Sequence, residues 1–269
     1  MKSKTQTTNE ITIVPMRVEE ASVCIIGRNA MIYNAMSEKS KHELLLPRGR
    51  RSAAAKAETL KHDPLTEYRN SVYRYRADDG PTRFFFPTGA FKKAIATAAL
   101  DLPGVKKTQV ARLCWITEDK VSIYGTPQVL MSVVRSADMN RTPDIRTRAI
   151  LPKWACTFKI SSAQPILKHE DIVRLLTTAG FTVGIGDWRQ EKGSGSFGQF
   201  RICPATDPEF KAIVKSGGIK AQDAALEEPA PYDVETETLW SWYGEQMAAM
   251  KKSGTVAVAP EVETEAAAE

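Results

Sequence analysis

Several short stretches of the chain set cations beside features able to hold a polyanion. The run Gly184-Ile-Gly186-Asp-Trp188-Arg189-Gln-Glu-Lys192-Gly193-Ser-Gly195-Ser-Phe-Gly198 interleaves glycine with charge, and a backbone without Cβ can take positive φ and bring its N–H groups against a ligand. Within it Trp188, Arg189 and Lys192 add a stacking surface and two cations, the combination that single-stranded nucleic acid binding uses. A second cluster is Arg135-Ser-Ala-Asp-Met-Asn-Arg141-Thr-Pro-Asp-Ile-Arg146-Thr-Arg148, and a third surrounds Pro47-Arg48-Gly49-Arg50-Arg51, with Lys39, Lys41, Lys56 and Lys61 nearby. Lys92 and Lys93 fall in the first turn of an expected helix, where lysine opposes the positive end of the dipole. A phosphate beside that turn offsets the cost. Solvated lysines and a turn with one half-buried tryptophan account for the same residues about equally well, so the distribution of charge has to discriminate.

That distribution is polarised. The net charge is only +5, yet residues 1–220 carry 35 basic and 21 acidic side chains, whereas from Ala221 onward eleven acidic residues face only Lys251 and Lys252. A body this basic calls for a polyanionic partner. The acidic end is expected to compete with that partner for the basic surface.

Other chemistries are poorly supplied. Gly193-Ser-Gly195-Ser-Phe-Gly198 matches G-x-G-x-x-G in form, but a dinucleotide site needs that string to open a helix, and here it leads into the strand-like Gln199-Phe-Arg-Ile-Cys. No G-K-[ST] follows, which excludes a Walker A loop. Cys24, Cys114, Cys156 and Cys203 stand far apart in apolar stretches, without C-x-x-C, and only three histidines are present. Buried free thiols, no metal and no cofactor are the expectation. His42 and His62 show no partner for acid–base work. Asp138, Asp144 and Asp187 sit among arginines and read as ion-pair partners. No apolar run reaches the roughly 18 residues of a membrane span, and the start lacks a signal-like stretch. A soluble, cytoplasmic protein without membrane contact is expected.

The elements that must position these groups begin with Ile11 to Met31, a long strand or hairpin, after a flexible N-terminus (1–9). A basic insertion occupies about 37–76, with helical turns around Ala53 to Leu60. Phe84-Phe85-Phe86 is a short buried strand, stopped by Pro87-Thr88-Gly89, which caps a helix from about Ala90 to Leu100 whose Phe91, Ile95, Ala98 and Ala99 share one face. A helical turn at 107–112 and strands near 113–116, 121–124 and 127–134 follow. Ala149 to Ser161 reads as one strand with Trp154, Cys156, Phe158 and Ile160 alternating, which makes the arginine-rich segment a hairpin connection. His169-Glu-Asp opens a helix with Ile172, Val173, Leu175 and Leu176 inward, ended by Gly180 in the left-handed conformation. The glycine-rich loop then closes into a strand at 199–203. The order β, α, β, β, α, β gives an α+β class with a ferredoxin-like core over residues 10–212. Residues 213–252 form a Pro-rich linker and an amphipathic helix with the stripe Leu239, Trp240, Tyr243, Met247 and Met250, expected to pack on the parent domain in preference to a partner groove. Residues 253–269 form a disordered acidic tail.

Three of these features together resemble the repeat-associated mysterious protein (RAMP) superfamily, especially the Cas7-like backbone subunits of CRISPR effector complexes. Phe86-Pro-Thr-Gly-Ala-Phe-Lys-Lys-Ala is similar to that family's I-P-G-S-S-L-[KR]-G-A-[LI]-R stretch. The Gly184 to Phe200 loop is similar to its glycine-rich loop, and the insertion and hairpin match its modified RNA-recognition core with a thumb. The chain also resembles proteins of tailed bacteriophages that share Asn140-Arg-Thr-Pro-Asp-Ile-Arg-Thr-Arg and Gly186-Asp-Trp-Arg, which implies a phage setting.

What the resemblance implies is a fold that grips the backbone of single-stranded RNA and polymerises along it. Lys92 and Lys93 match the basic position of the helix-start motif, and Gly193, Gly195 and Gly198 match the loop. Arg135, Arg141, Arg146 and Arg148 correspond to the thumb in type and place. Some RAMP proteins cut RNA with a histidine, or with an aspartate just after the first strand. Gly27-Arg-Asn-Ala-Met-Ile-Tyr-Asn has no such aspartate, so the expectation is a non-enzymatic, largely sequence-independent binder of single-stranded RNA or DNA that forms a homo-oligomer or filament. The alternatives are a RAMP-type endoribonuclease and a phage structural or protein-interaction module.

Overall fold

The computed structural model describes residues 15–36, 41, 44–45, 62–76, 80–135, 143–192 and 195–252. The expected frayed start, Arg48, Arg50 and Arg51 with the helical turns near 53–60, Arg141, Gly193 and the acidic tail lie outside them. Among the described residues no helix is long and apolar enough to cross a membrane.

The architecture is α+β and begins with β1 (Arg17–Gly27). Val23, Cys24, Ile25 and Ile26 are buried in succession, the pattern of a strand covered on both faces rather than one. The chain turns at Arg28 and Asn29 into the two-residue β2 (Met31–Ile32), which belongs to a different sheet, so the long strand or hairpin expected over 11–31 is divided between two sheets. Next come α1 (Pro64–Asn70), capped by the Asp63 carboxylate, β3 (Phe85–Pro87) and α2 (Thr88–Ala98). Phe91, Ile95, Ala98 and Ala99 are all buried, as their spacing predicts. The expected cap is absent: no side chain caps α2, and the Thr88 hydroxyl donates instead to the Glu118 carbonyl. After α3 (Lys107–Leu113) follow β4 (Cys114–Ile116), β5 (Lys120–Tyr124), β6 (Gln128–Arg135), β7 (Pro143–Leu151), β8 (Ala155–Gln164), α4 (His169–Thr178) and β9 (Phe200–Cys203).

In the main sheet the order is β3-β5-β8-β1-β9, with β4 also on β8, and every pairing is antiparallel. β2-β7-β6 form the second sheet. The single strand expected over 149–161 is therefore two strands in two sheets, broken at Pro152 to Trp154. Trp154 is fully buried at the break, where its indole N–H donates to the Asn29 carbonyl at 3.0 Å. On one face of the main sheet, Val23, Ile25, Ile123, Phe158 and Ile160 meet Phe91 and Ile95 of α2 and Ile172, Leu175 and Leu176 of α4. Val173, expected inward, is 52% exposed. Gly180 does not end α4 by a left-handed turn. The chain continues through a wider turn over 179–183, and it is Gly184, with φ 74°, that reverses it. Gly180 is required for closeness: a Cβ there would lie 2.2 Å from the Phe200 carbonyl oxygen.

The other face of the main sheet, with Cys24, Ile26, Ala155 and Cys203, is covered by Phe210 and Ile213 of α5 (Pro208–Ser216). Much of the expected linker is thus helical and part of the domain. In α6 (Ile219–Glu227) the buried Gln222 amide accepts from the N–H of Arg83 and Phe84 and donates to the carbonyls of Ile123 and Gly125. In α7 (Val234–Lys252) Leu239 and Trp240 of the expected stripe pack on the main core, whereas Met250 at its far end is exposed, and the Thr236 hydroxyl accepts from the buried Met131 N–H.

All four cysteines are buried and free. Burial pushes the Cys114 thiol up to about 11, against the opposing influence of Lys92, and raises Cys156 still further, with Cys24 and Cys203 adding to it. Cys114 and Cys156 stay protonated, and all four thiols are shielded in the fold. Iodoacetamide at pH 8 is expected to modify the native protein far more slowly than the urea-unfolded chain, read by mass spectrometry. Because the folded state holds the proton more tightly, the thiol contribution to stability is complete below a free thiol's pKa of about 8.5 and declines as pH rises from there towards about 11. Urea midpoints measured across that interval check the sign.

Candidate nucleic-acid interface

The glycine-rich loop is held by its own backbone and by the turn after β1. Gly184, Gly186 and Gly198 take φ of 74°, 96° and 73°, and Trp188 the left-handed value of 48°. Ile185 N–H donates to the Gly198 carbonyl, Gly198 N–H to Ala30, and Asp187 N–H to Ile32, so the loop is laid along β2. A Cβ on Gly198 would stand 1.7 Å from the Ile185 oxygen. Gly195 shows no positive φ, and its need for glycine is the approach to the Trp188 carbonyl oxygen, 1.7 Å from a Cβ there. Asn29 clamps the far side: its side-chain oxygen accepts from Gln199 N–H at 2.8 Å, while its amide nitrogen donates to the Ser196 carbonyl and the Gln199 side chain.

The hairpin of β6 and β7 meets this loop through Arg148, which stands on strand β7 rather than in a connection. Arg148 is buried, with a guanidinium nitrogen 2.7 Å from the Asp187 carboxylate and its carbon 5.5 Å from the Trp188 ring centre. The short approach to Asp187 is an ion pair whose N–H is not aligned for a hydrogen bond, leaving that nitrogen without a formal acceptor. Burial lowers the Arg148 pKa and Arg146 lowers it further, while Asp187 opposes them. Trp188 also packs on Phe197, and both cover Ala30, Ile32, Leu130 and Ile150. Ion pairing, expected for Asp187, is what the structure shows, whereas Asp144 pairs with His62.

Arg146, opposite Ser132, and Arg148, opposite Leu130, share one face of the hairpin, and Arg146 is exposed. Arg135 has the parity of Val129 and Met131, whose side chains enter the main core, so alternation along β6 puts it on the other face. The expected thumb arginines are thereby divided between two faces. Around the loop, Arg189 is occupied by Glu191 at 2.8 Å and by the Gly186 carbonyl at 3.1 Å, and Lys192 ends the following turn exposed. Arg28, which the sequence reading passed over, joins the group. Its N–H donates to the Gln199 carbonyl and its guanidinium lies 4.9 Å from the ring of the exposed Phe181. The Gly27-Arg28-Asn29 string carried no signal beyond a turn.

Lys92 is half-buried near the Cys114 thiol and Lys93 is exposed on α2; among the described residues no hydrogen bond or ion pair joins them to the loop. His62, expected to lack partners, lies between the carboxylates of Glu67 at 2.7 Å and Asp144 at 3.0 Å. Its carbonyl accepts from the Tyr243 hydroxyl, so it links α1, β7 and α7.

No protein-family model and no curated protein matches the chain. Among solved structures, the crystal structure of Cmr6 from Pyrococcus furiosus is similar at a TM-score of 0.35 and 7% identity, over 70% of this chain and 98% of that one. A chain in a cryo-EM structure of the Type III-B Cmr-beta complex bound to cognate target RNA is similar at 0.27 and 12% identity, over 68% and 59%.

The two neighbouring arginines therefore have separable roles in stability. Arg148→Ala, which strands Asp187 and uncovers Trp188, is expected to cost about 3 kcal/mol in urea unfolding, whereas the exposed Arg146→Ala should stay within about 0.5 kcal/mol of wild type.

Proposed function

We propose that this protein is a non-enzymatic, largely sequence-independent binder of single-stranded nucleic acid that assembles along the strand. The observation that carries the reading is the union of two basic segments distant in sequence. The Arg148–Asp187 pair under Trp188 fastens the hairpin to the glycine-rich loop, so that the segments carrying the exposed Arg146, Arg28 and Lys192 are joined. In this reading Arg148 and Arg189 position the surface, and the exposed cations and Lys93 neutralise phosphates. Phe181, exposed beneath Arg28, offers a base-stacking face. The order β9-β1-β8-β5 across the main sheet is the fourth-first-third-second order of a βαββαβ unit, which supports the ferredoxin-like, RAMP-type interpretation. His62, bridging two carboxylates and held by α7, acts as a brace rather than a general acid.

Fluorescence anisotropy of the nuclease-treated protein with matched single-stranded RNA, single-stranded DNA and duplex tests this. Single strands are expected to bind best, with affinity falling at least about tenfold between 50 and 200 mM salt and the labelled RNA remaining intact with Mg²⁺. Arg28→Ala with Arg146→Glu should weaken binding several-fold at an unchanged urea midpoint. Salt-independent binding, or cleavage of the RNA, overturns the reading.

A further inference from the structure

Among the described residues, the β1 edge of the main sheet is half-open. β9 pairs with β1 only from Cys24 to Gly27, because after Cys203 the chain leaves the ladder and turns into α5 at Pro208. From Arg17 to Val23 β1 is paired on its β8 side alone among the described residues. Which backbone groups face the open side follows from alternation. Gly27 N–H donates towards β8, to Trp154, and Arg28 N–H donates to Gln199, on the β9 side. Even-numbered residues therefore turn N–H and C=O outward, and below Cys24 these are Ser22, Glu20 and Val18. Pro15, an odd position, has its missing donor on the other side. The open stretch also exposes apolar side chains, with Met16 63% and Val18 64% accessible.

We propose that two copies of this chain pair their β1 edges antiparallel about a two-fold axis at Val18, making one sheet continuous across a dimer. Among the registers centred on Arg17 to Glu20, charge favours that one. With the helix-covered faces of both sheets on the same side, residue i must face a residue of the same parity. An axis at Arg17, Glu19 or Glu20 sets a like charge directly against itself, which destabilises a sheet. An axis at Val18 sets Arg17 against Glu19 of the second copy, twice, where the Glu19 carboxylate also meets His169 of its own chain at 2.9 Å, and Val18 against Val18. It also makes Val18–Val18 and Met16–Glu20 the hydrogen-bonded pairs, satisfying outward groups of β1. Arg17 and Glu19 then fall at the closer, non-hydrogen-bonded positions. This contact is isologous and closes on itself. It is independent of the strand-binding reading and differs from any side-by-side contact along a nucleic acid.

Light scattering behind size exclusion, on full-length protein freed of nucleic acid, is expected to give twice the 29.7 kDa chain mass at high concentration. Arg17→Glu should remove the dimer at concentrations where wild type is dimeric, and R17E/E19R should restore it. Val18→Cys provides a second test, since Cα atoms in a hydrogen-bonded pair lie about 5.5 Å apart, within disulfide reach. Mild oxidation should give a covalent dimer from V18C and none from wild type, whose own thiols are buried. A monomer at every concentration overturns the proposal, whether solvent or the chain's own first residues cover the edge. A dimer indifferent to R17E that leaves V18C uncrosslinked overturns it equally, by placing the interface elsewhere.

Discussion

The Trp154 indole is the constraint on which the arrangement of this molecule turns. It sits where the chain passes from the second sheet to the first, without solvent exposure, against a Gly27 whose Cβ would lie 2.2 Å from the indole nitrogen. Its ring meets Phe200 of β9 edge-on, and its N–H satisfies the Asn29 carbonyl. One side chain thus fixes the end of β1, the start of β8 and the turn between them. A buried aromatic of this size fills volume that nothing smaller could close, and its single polar atom finds a partner as a buried indole must. Because Asn29 is held there, its amide is free to reach across to Ser196 and Gln199 and close the glycine-rich loop.

Charge in this protein divides into a part spent internally and a part left to solvent. Arg148, Arg189 and Arg83 are committed to Asp187, Glu191 and Asp223. Desolvating a guanidinium beside a carboxylate gives little net stability, but it specifies which segments meet. The hairpin and the loop meet this way, as do the strand approach at Arg83 and α6. Cations outside such pairs, Arg28, Arg146, Lys93 and Lys192 among them, lie at the surface, where long-range attraction to a polyanion costs no desolvation in advance.

The elements legible in the sequence are those set by local pattern. The α2 face, the strands near 114, 121 and 128, the buried Phe84 and Phe86, the free thiols and the packing of Leu239 and Trp240 in α7 all follow from periodicity and apolar content. The site was legible in composition: the loop's glycines and the arginines of the hairpin were marked by type and spacing. Their roles were not. Nothing in Arg146-Thr-Arg148 tells which arginine is buried, since that depends on Asp187 arriving from another part of the chain.

Sequence alone therefore determined the α+β class, the alternation of helix and strand in the main sheet and the location of basic charge, because hydrophobic period and net charge are additive along the chain. Tertiary structure decided the rest. The break at Trp154, the wide turn that replaces a stop at Gly180, the recruitment of Arg28 and Asn29 and the pairing of His62 all arise from contacts between distant segments. Such contacts are set by volume and hydrogen-bond closure in three dimensions, and local propensity contains no information about either.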